Sequence, residues 1–251
     1  MILSEKFKVD FLVIGVQKSG TSALDFYLRN HSEIGMGNKK ELHFFDTDSY
    51  FRNSKVDYSI YHNQFTFNQE NKIYGEITPS YIYWKNSIKR IKEYNPNIKI
   101  ITLLRNPIER AYSHWNMSIK KKNENEDFIT CIKKQIIEIN ENRCIQNLPN
   151  SYVDRGLYLK QIKEVMHHFS SDQLMFIKYE DFLSNQEKTL KKVFSFLNIE
   201  GMFNFQFQKK NKFNYSDNIT REEKNTLLHF YKDEIKEIEE LLDWDCKDWL
   251  K

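Results

Sequence analysis

Four short apolar runs mark the chain. Phe11-Leu-Val-Ile-Gly15 is continuous, ends at glycine and predicts a buried parallel strand. Ile73-Tyr-Gly-Glu76 is a shorter candidate, closed by Thr78-Pro79 because proline disfavours continuation. Ile98 to Leu104 and Leu174 to Lys178 complete the set. Helical spacing follows each strong run. Ala23, Leu24, Tyr27 and Leu28 predict a helix over 21–29, and Asn106-Pro107 opens another through about Met117. Further helices are predicted at 128–142, 156–169, 187–197 and 221–242, the last as one helix or two. The charged stretch 119–127 reads as a solvated connector. Strands alternating with helices predict an α/β fold, a parallel sheet flanked by helices on both faces, in a single domain over 1–251.

Composition narrows the function classes. With 38 basic and 35 acidic residues the formal charge is only +3, which excludes wholesale nucleic-acid or membrane binding as the expected mode. Cys131, Cys144 and Cys246 are scattered without CxxC pairing, so packing thiols are expected rather than a disulfide framework or a zinc site. No apolar run approaches the ~20 residues of a membrane span. The expectation is a cytoplasmic chain in a reducing compartment, acting on a diffusible partner rather than on nucleic acid or membrane.

The first strand-to-helix turn carries the chemistry. Gly15-Val-Gln-Lys-Ser-Gly-Thr-Ser22 lies where backbone N–H groups and a helix N-terminus favour an anion, and Thr21 and Ser22 add hydroxyl donors. A nucleotide-kinase P-loop needs Gly, four residues, then Gly-Lys-Ser/Thr. Gly15 and Gly20 keep that separation, and Ser22 stands where the magnesium-binding hydroxyl would be. Thr21, however, occupies the lysine's place, and the lysine lies upstream at Lys18. A kinase also wants an acid at a neighbouring strand end to hold magnesium, whereas Leu104-Arg105 puts a base there. The turn is therefore P-loop-like, built to hold phosphates without a metal.

Phe11 to Leu28 resembles the 5′-phosphosulfate-binding segment of the sulfotransferase superfamily, and Leu103-Leu-Arg-Asn-Pro-Ile-Glu-Arg-Ala-Tyr-Ser113 resembles its 3′-phosphate-binding segment. Lys40-Glu-Leu-His-Phe-Phe-Asp46, Glu76-Ile-Thr-Pro-Ser-Tyr81 and Arg155-Gly-Leu-Tyr158 extend the similarity. Together they are most like the glycan sulfotransferases of the heparan sulfate type and their bacterial relatives. The resemblance implies 3′-phosphoadenosine 5′-phosphosulfate as donor, adenosine 3′,5′-bisphosphate as product and no metal. It implies an acceptor, glycan or small polar molecule, with a free hydroxyl.

It also implies residue roles. Gln17, Lys18, Ser19, Gly20, Thr21 and Ser22 hold the phosphosulfate, with Lys18 near the bridging oxygen, where an ammonium favours the transition state as negative charge grows. Arg105 and Ser113 match the pair holding the 3′-phosphate, a role suited to arginine's planar fork. Arg155 and Tyr158 face the nucleotide. Arg110 is off the matching positions and is expected to be structural. Glu41 matches the catalytic base, and His43, which titrates near neutral pH, is the competing one. Glu76 has three open readings: orienting the acceptor, supporting Lys18, or a core-edge carboxylate. Past residue 200 the pattern departs from the glycan type. Gln208-Lys-Lys-Asn-Lys-Phe-Asn214 has no glycine or cysteine, and Lys210, with Lys209 and Lys212, is the candidate cofactor contact there. Phe203, Phe205 and Phe207 alternate as a short strand, a lid surface or core packing would. Two other readings stand beside sulfuryl transfer: a P-loop nucleotide kinase, and a non-catalytic nucleotide-binding module of the same fold.

Overall fold

The computed structural model describes residues 7–143, 146, 150–200 and 218–251. Lys209, Lys210, Lys212, the three alternating phenylalanines and Cys144 lie outside the described residues. The chain divides into two compact units, one of Met1–Leu104 with Glu164–Lys210, the other of Arg105–Lys163 with Asn211–Lys251.

In chain order the elements are β1 (Phe11–Gly15), α1 (Thr21–Arg29), β2 (Ile34–Met36), α2 (Ser59–His62), β3 (Ile73–Ile77), α3 (Ser87–Tyr94) and β4 (Lys99–Leu104). They continue with α4 (Pro107–Lys120), α5 (Phe128–Asn140), α6 (Tyr158–His168), β5 (Leu174–Lys178), α7 (Tyr179–Ser184), α8 (Gln186–Leu197) and α9 (Arg221–Leu242). All five strands lie in the first unit, ordered β2-β3-β1-β4-β5, and every pairing is parallel. The α/β expectation holds, with a fifth strand, β2, added to the four expected.

Period-two alternation sends Phe11 and Val13 of β1 to one face, where they pack with Leu24 and Leu28 of α1 and Leu190 and Val193 of α8. Leu12 and Ile14 point to the other face and are equally buried. There an aromatic layer covers the sheet, in which Phe45 meets Tyr61, Tyr81 and Tyr94 edge-on or tilted. Burial on both faces explains why the strands read as unbroken apolar runs. Because β1 sits between β3 and β4, the chain leaves it in one direction and returns on the other side. Such a switch point opens a crevice beyond the strand's carboxyl end, where residues 16–20 lie.

In the second unit α9 packs against α4 and α5. Asn106 caps α4 by accepting from the Ile108 N–H (2.9 Å), with Pro107 at the first helical position. A Thr220–Glu223 capping box starts α9, which runs as one helix because Leu227, Tyr231, Ile235 and Ile238 keep a single buried stripe.

Candidate active site

The loop after β1 is held at both ends. Val16 N–H donates to the Leu103 carbonyl at 2.7 Å, and Gly20 begins α1 in the left-handed region at φ 82°. Gly20 is required twice over, since a Cβ there would lie 2.5 Å from the Tyr179 ring. With glycine at the cap, the cap residue makes no side-chain hydrogen bond to the first N–H groups of α1. Ser19 is fully buried, and its Oγ has no hydrogen-bond partner among the described residues; the same holds for Gln17 Oε1. A buried hydroxyl beside an open helix N-terminus fits an anionic oxygen. Lys18 is half-buried with φ 75°, so this loop fits the phosphosulfate end of the expected nucleotide.

The segment after β2 carries Glu41 to the same unit's loop side. Arg29, locked to Asp25 at 2.9 Å, donates from Nη1 to the Gly37 carbonyl, fixing the approach. Next comes a run of stitches onto the end of β3 and its turn. Glu41 N–H donates to the Ile77 carbonyl (2.9 Å), His43 N–H reaches Thr78 Oγ1 (3.5 Å), and Phe44 N–H donates to the Tyr81 hydroxyl (3.0 Å). Glu41 and His43 both take positive φ, 64° and 53°. Non-glycine residues rarely do so, and such strain concentrates at working sites.

A polar chain then crosses the segment. Lys40 Nζ donates to Ser22 Oγ (3.0 Å) and to Glu41 Oε1 (2.8 Å). His43 Nε2 lies 3.7 Å from Glu41 Oε2, while its Nδ1 lies 2.9 Å from Asp46 Oδ2. Ser80 donates to that same Asp46 oxygen at 2.7 Å. His43 and then Lys40 hold the Glu41 carboxyl down to about 2 against the opposing pull of burial. At 3.7 Å the His43 contact is an ion pair too long for a hydrogen bond, so Lys40 makes the tighter hold. Asp46 first, and Glu41 second, push His43 up to about 10. His43, the alternative base, thus sits between two carboxylates that favour its protonated form, and Glu41 beside two cationic partners that favour its ionised form.

Glu76 lies under this segment, fully buried on β3. It accepts from Tyr81 (2.7 Å) and Tyr61 (3.1 Å) on Oε1 and from Thr78 (2.8 Å) on Oε2. Burial still pushes its carboxyl up. Of its three readings, the core carboxylate that props the Glu41 segment is the one these contacts fit.

Arg105, Ser113 and Arg155 belong to the second unit. Arg105 follows β4, with Nη2 3.7 Å from Glu109 Oε2, and its carbonyl accepts from the Tyr158 hydroxyl at 2.9 Å. Ser113 is buried on α4 and Arg155 is nearly buried in the turn before α6. Gly156 lets that turn approach Tyr231, whose hydroxyl would lie 2.4 Å from an added Cβ. Arg110 is fully buried and donates from Nη2 to the Tyr152 carbonyl, a structural placement as expected.

Lys40, Asp46 and Ser80 received no role from the sequence, although the first two flank Glu41 and His43 within one heptapeptide. His43 and Asp46 at i and i+3 were the available signal. Glu124, Glu126 and Cys131 place ligand atoms within 4.8 Å of one another. Lys134 already pairs with Glu126 at 2.5 Å, however, and burial pushes the Cys131 thiol up to about 12. No helix among the described residues is long and apolar enough to cross a membrane.

Comparison with known proteins gives the family. A sulfotransferase domain model matches residues 8–240. The membrane-associated sulfotransferase kil1 of Dictyostelium discoideum is 28% identical over 95% of this chain and 66% of its own length. Mouse heparan sulfate glucosamine 3-O-sulfotransferase 3A1 is 28% identical over 75% of this chain and 45% of its own. The chain thus spans about half to two thirds of these relatives. Among solved structures, a sulfotransferase from Alicyclobacillus acidocaldarius superposes with a TM-score of 0.79 at 24% identity, covering 98% of this chain and all of that one. Mouse sulfotransferase SULT7A1 complexed with PAP superposes with a TM-score of 0.50 at 18% identity, over 78% of this chain and 60% of that one. On a match that covers nearly its whole length, from the first strand to the end of the last helix, this chain belongs to the sulfotransferase domain family.

Proposed function

We propose that the protein transfers a sulfuryl group from 3′-phosphoadenosine 5′-phosphosulfate to a hydroxyl of a carbohydrate or small polar acceptor. One observation carries the reading. An open, glycine-started helix N-terminus with a buried serine hydroxyl is joined through Lys40 to an ionised carboxylate. The first feature suits a phosphosulfate and the second suits an acceptor proton.

The donor, when bound, supplies the activated sulfuryl group. Gln17, Ser19, Gly20, Thr21 and Ser22 would hold its phosphosulfate end, and Lys18 would place positive charge where charge grows on the departing oxygen. Contacts of that kind are commonly worth about 10²–10³ in rate. Arg105 and Ser113 are proposed for the 3′-phosphate and Arg155 for a position near the nucleotide. Glu41 takes the acceptor's proton as that hydroxyl oxygen becomes bonded to sulfur. His43, held as a cation by Asp46, keeps Glu41 ionised and aimed. The names of the heparan sulfate relatives support a sugar hydroxyl as acceptor.

Thermal shift with adenosine 3′,5′-bisphosphate against ATP plus magnesium tests the donor. The bisphosphate should raise Tm more; preference for ATP plus magnesium would sink the reading in favour of a kinase. Labelled-sulfate transfer to a panel of glycans and polar alcohols tests the reaction. Glu41→Gln should lose turnover while retaining bisphosphate binding.

A further inference from the structure

We propose that the Lys40 ammonium fills the role that a divalent cation fills in phosphate-loop kinases, bridging the loop hydroxyl and a carboxylate, and thereby orients both Ser22 and Glu41. This rests on the functional reading above and extends it to a residue that would touch neither donor nor acceptor.

In a kinase loop the hydroxyl after the Gly-Lys pair binds magnesium, and an acidic residue from a neighbouring strand shares the ion. Here Ser22 occupies that hydroxyl's position relative to Gly15 and Gly20. A carboxylate is present too, on Glu41. The group between them is an ammonium, 3.0 Å from the Ser22 hydroxyl and 2.8 Å from Glu41 Oε1. Its backbone is fixed on both sides, by Arg29 on the Gly37 carbonyl, by Asn38 N–H on the Gln64 carbonyl (2.7 Å) and by Glu41 N–H on the Ile77 carbonyl. The cation is thus built into the segment, with its side chain three-quarters buried.

Two consequences follow from donor and acceptor counting. Lysine only donates, so Ser22 Oγ must accept from it, and the serine's own proton is directed elsewhere, toward an anionic oxygen at the loop. At Glu41, Oε1 is occupied by Lys40, which leaves Oε2 as the oxygen to receive a proton. The charged groups facing that carboxylate are Lys40 and His43, with Asp46 behind the ring. A lysine in this position supplies the tie at every magnesium concentration.

The test uses the intact chain with Lys40→Met and Lys40→Arg. The Glu41 carboxyl is followed by ¹³C NMR across acidic pH, with Glu41→Gln to assign the signal, and kcat and KM are measured with the phosphosulfate donor. In Lys40→Met the Glu41 midpoint should rise by about one pH unit, as expected for losing an opposite charge in direct contact while His43 remains. Turnover should fall about 10²-fold, mainly in kcat. Lys40→Arg should keep the low midpoint and part of the rate. A merely structural lysine would lower Tm and leave kcat at the wild-type value, whatever the midpoint does. An unmoved midpoint with wild-type kcat in Lys40→Met would overturn the proposal. If the wild-type chain failed to bind the bisphosphate, the functional reading would fall, while the NMR midpoint would still decide the role of Lys40.

Discussion

Replacing Glu76 by alanine should unsettle the protein more than any change at the loop surface. Its carboxylate is fully buried and is the acceptor for three buried hydroxyls, those of Tyr61, Thr78 and Tyr81. Each buried donor left without a partner costs about 1–3 kcal/mol. Removing the charge itself returns part of that, because burying it was unfavourable. The net is about 3–5 kcal/mol, the range found when one partner of a buried charged set is deleted. For a chain of this size that corresponds to a fall in Tm of roughly 10 °C. Differential scanning calorimetry reads it directly. Glu76→Gln is the control, since its amide can accept from the tyrosines and donate to the Thr78 hydroxyl. Sign matters as well: burial raises the Glu76 pKa above the ordinary 4.5, so folding is penalised as pH climbs past that value, and the glutamine variant should lack this slope. Activity should fall in the alanine variant with bisphosphate binding retained, because Glu76 props the segment that aims Glu41. A Tm within about 2 °C of wild type would mean that the three hydroxyls find other acceptors, and the reasoning would be refuted.

Three further outcomes are expected. The His43–Glu41 pairing makes a stability term with two edges. Glu41, held near 2, contributes above 4.5 and loses its contribution as pH falls toward 2; His43, raised to about 10, contributes below 6.5 and loses its contribution as pH rises toward 10. Both side chains are over a third exposed, so each edge is worth about 1 kcal/mol or less, and His43→Gln should erase the alkaline one in urea titrations across pH. Lys18→Ala should abolish sulfuryl transfer with Tm unchanged; retained turnover would remove Lys18 from the mechanism. Gly20→Ala should cost about 1 kcal/mol for left-handed backbone alone. The contact with Tyr179 adds to that, and isothermal titration should show weakened bisphosphate binding, whereas wild-type affinity would show that the loop tolerates a Cβ.

Most of the sheet was legible because its strands are buried on both faces and so are written as unbroken apolar runs. Phe11–Gly15 and Leu174–Lys178 match the expectation to the residue, and Lys99–Leu104 to within one. β2 was not legible: three residues, two of them Ile34 and Gly35, carry too little pattern to separate a strand from a turn. α3 was hidden differently. Its buried Ile88, Ile91 and Tyr94 lie among Lys89, Arg90, Lys92 and Glu93, and its cap, Asn86 in the left-handed region, offers no side-chain hydrogen bond. α9 came out as one helix because its buried stripe never changes face, which a propensity reading of so many charged residues leaves open.

The site was legible by residue type and illegible by partnership. Sequence could place Glu41 beside His43, and a histidine's ordinary pKa made it a fair rival base. What sequence did not pair with them is the second carboxylate, Asp46, 2.9 Å from His43 in a segment where Glu41 and His43 both bend into positive φ. No residue-type preference forecasts that bend in a glutamate and a histidine, and its cost must be met by the stitches to Ile77, Thr78 and Tyr81. Lys18, in the loop after β1, carries the same positive φ. Eight non-glycine residues have positive φ among those described, and five are asparagine, lysine or aspartate at turns and helix ends. The other three, Lys18, Glu41 and His43, are the candidate catalytic residues that the family resemblance named. Strained backbone at those positions is stable only if surrounding contacts over-determine it. The stitches to Ile77, Thr78 and Tyr81 are contacts of that kind around Glu41 and His43, and the bond from Val16 N–H to the Leu103 carbonyl holds the loop that carries Lys18.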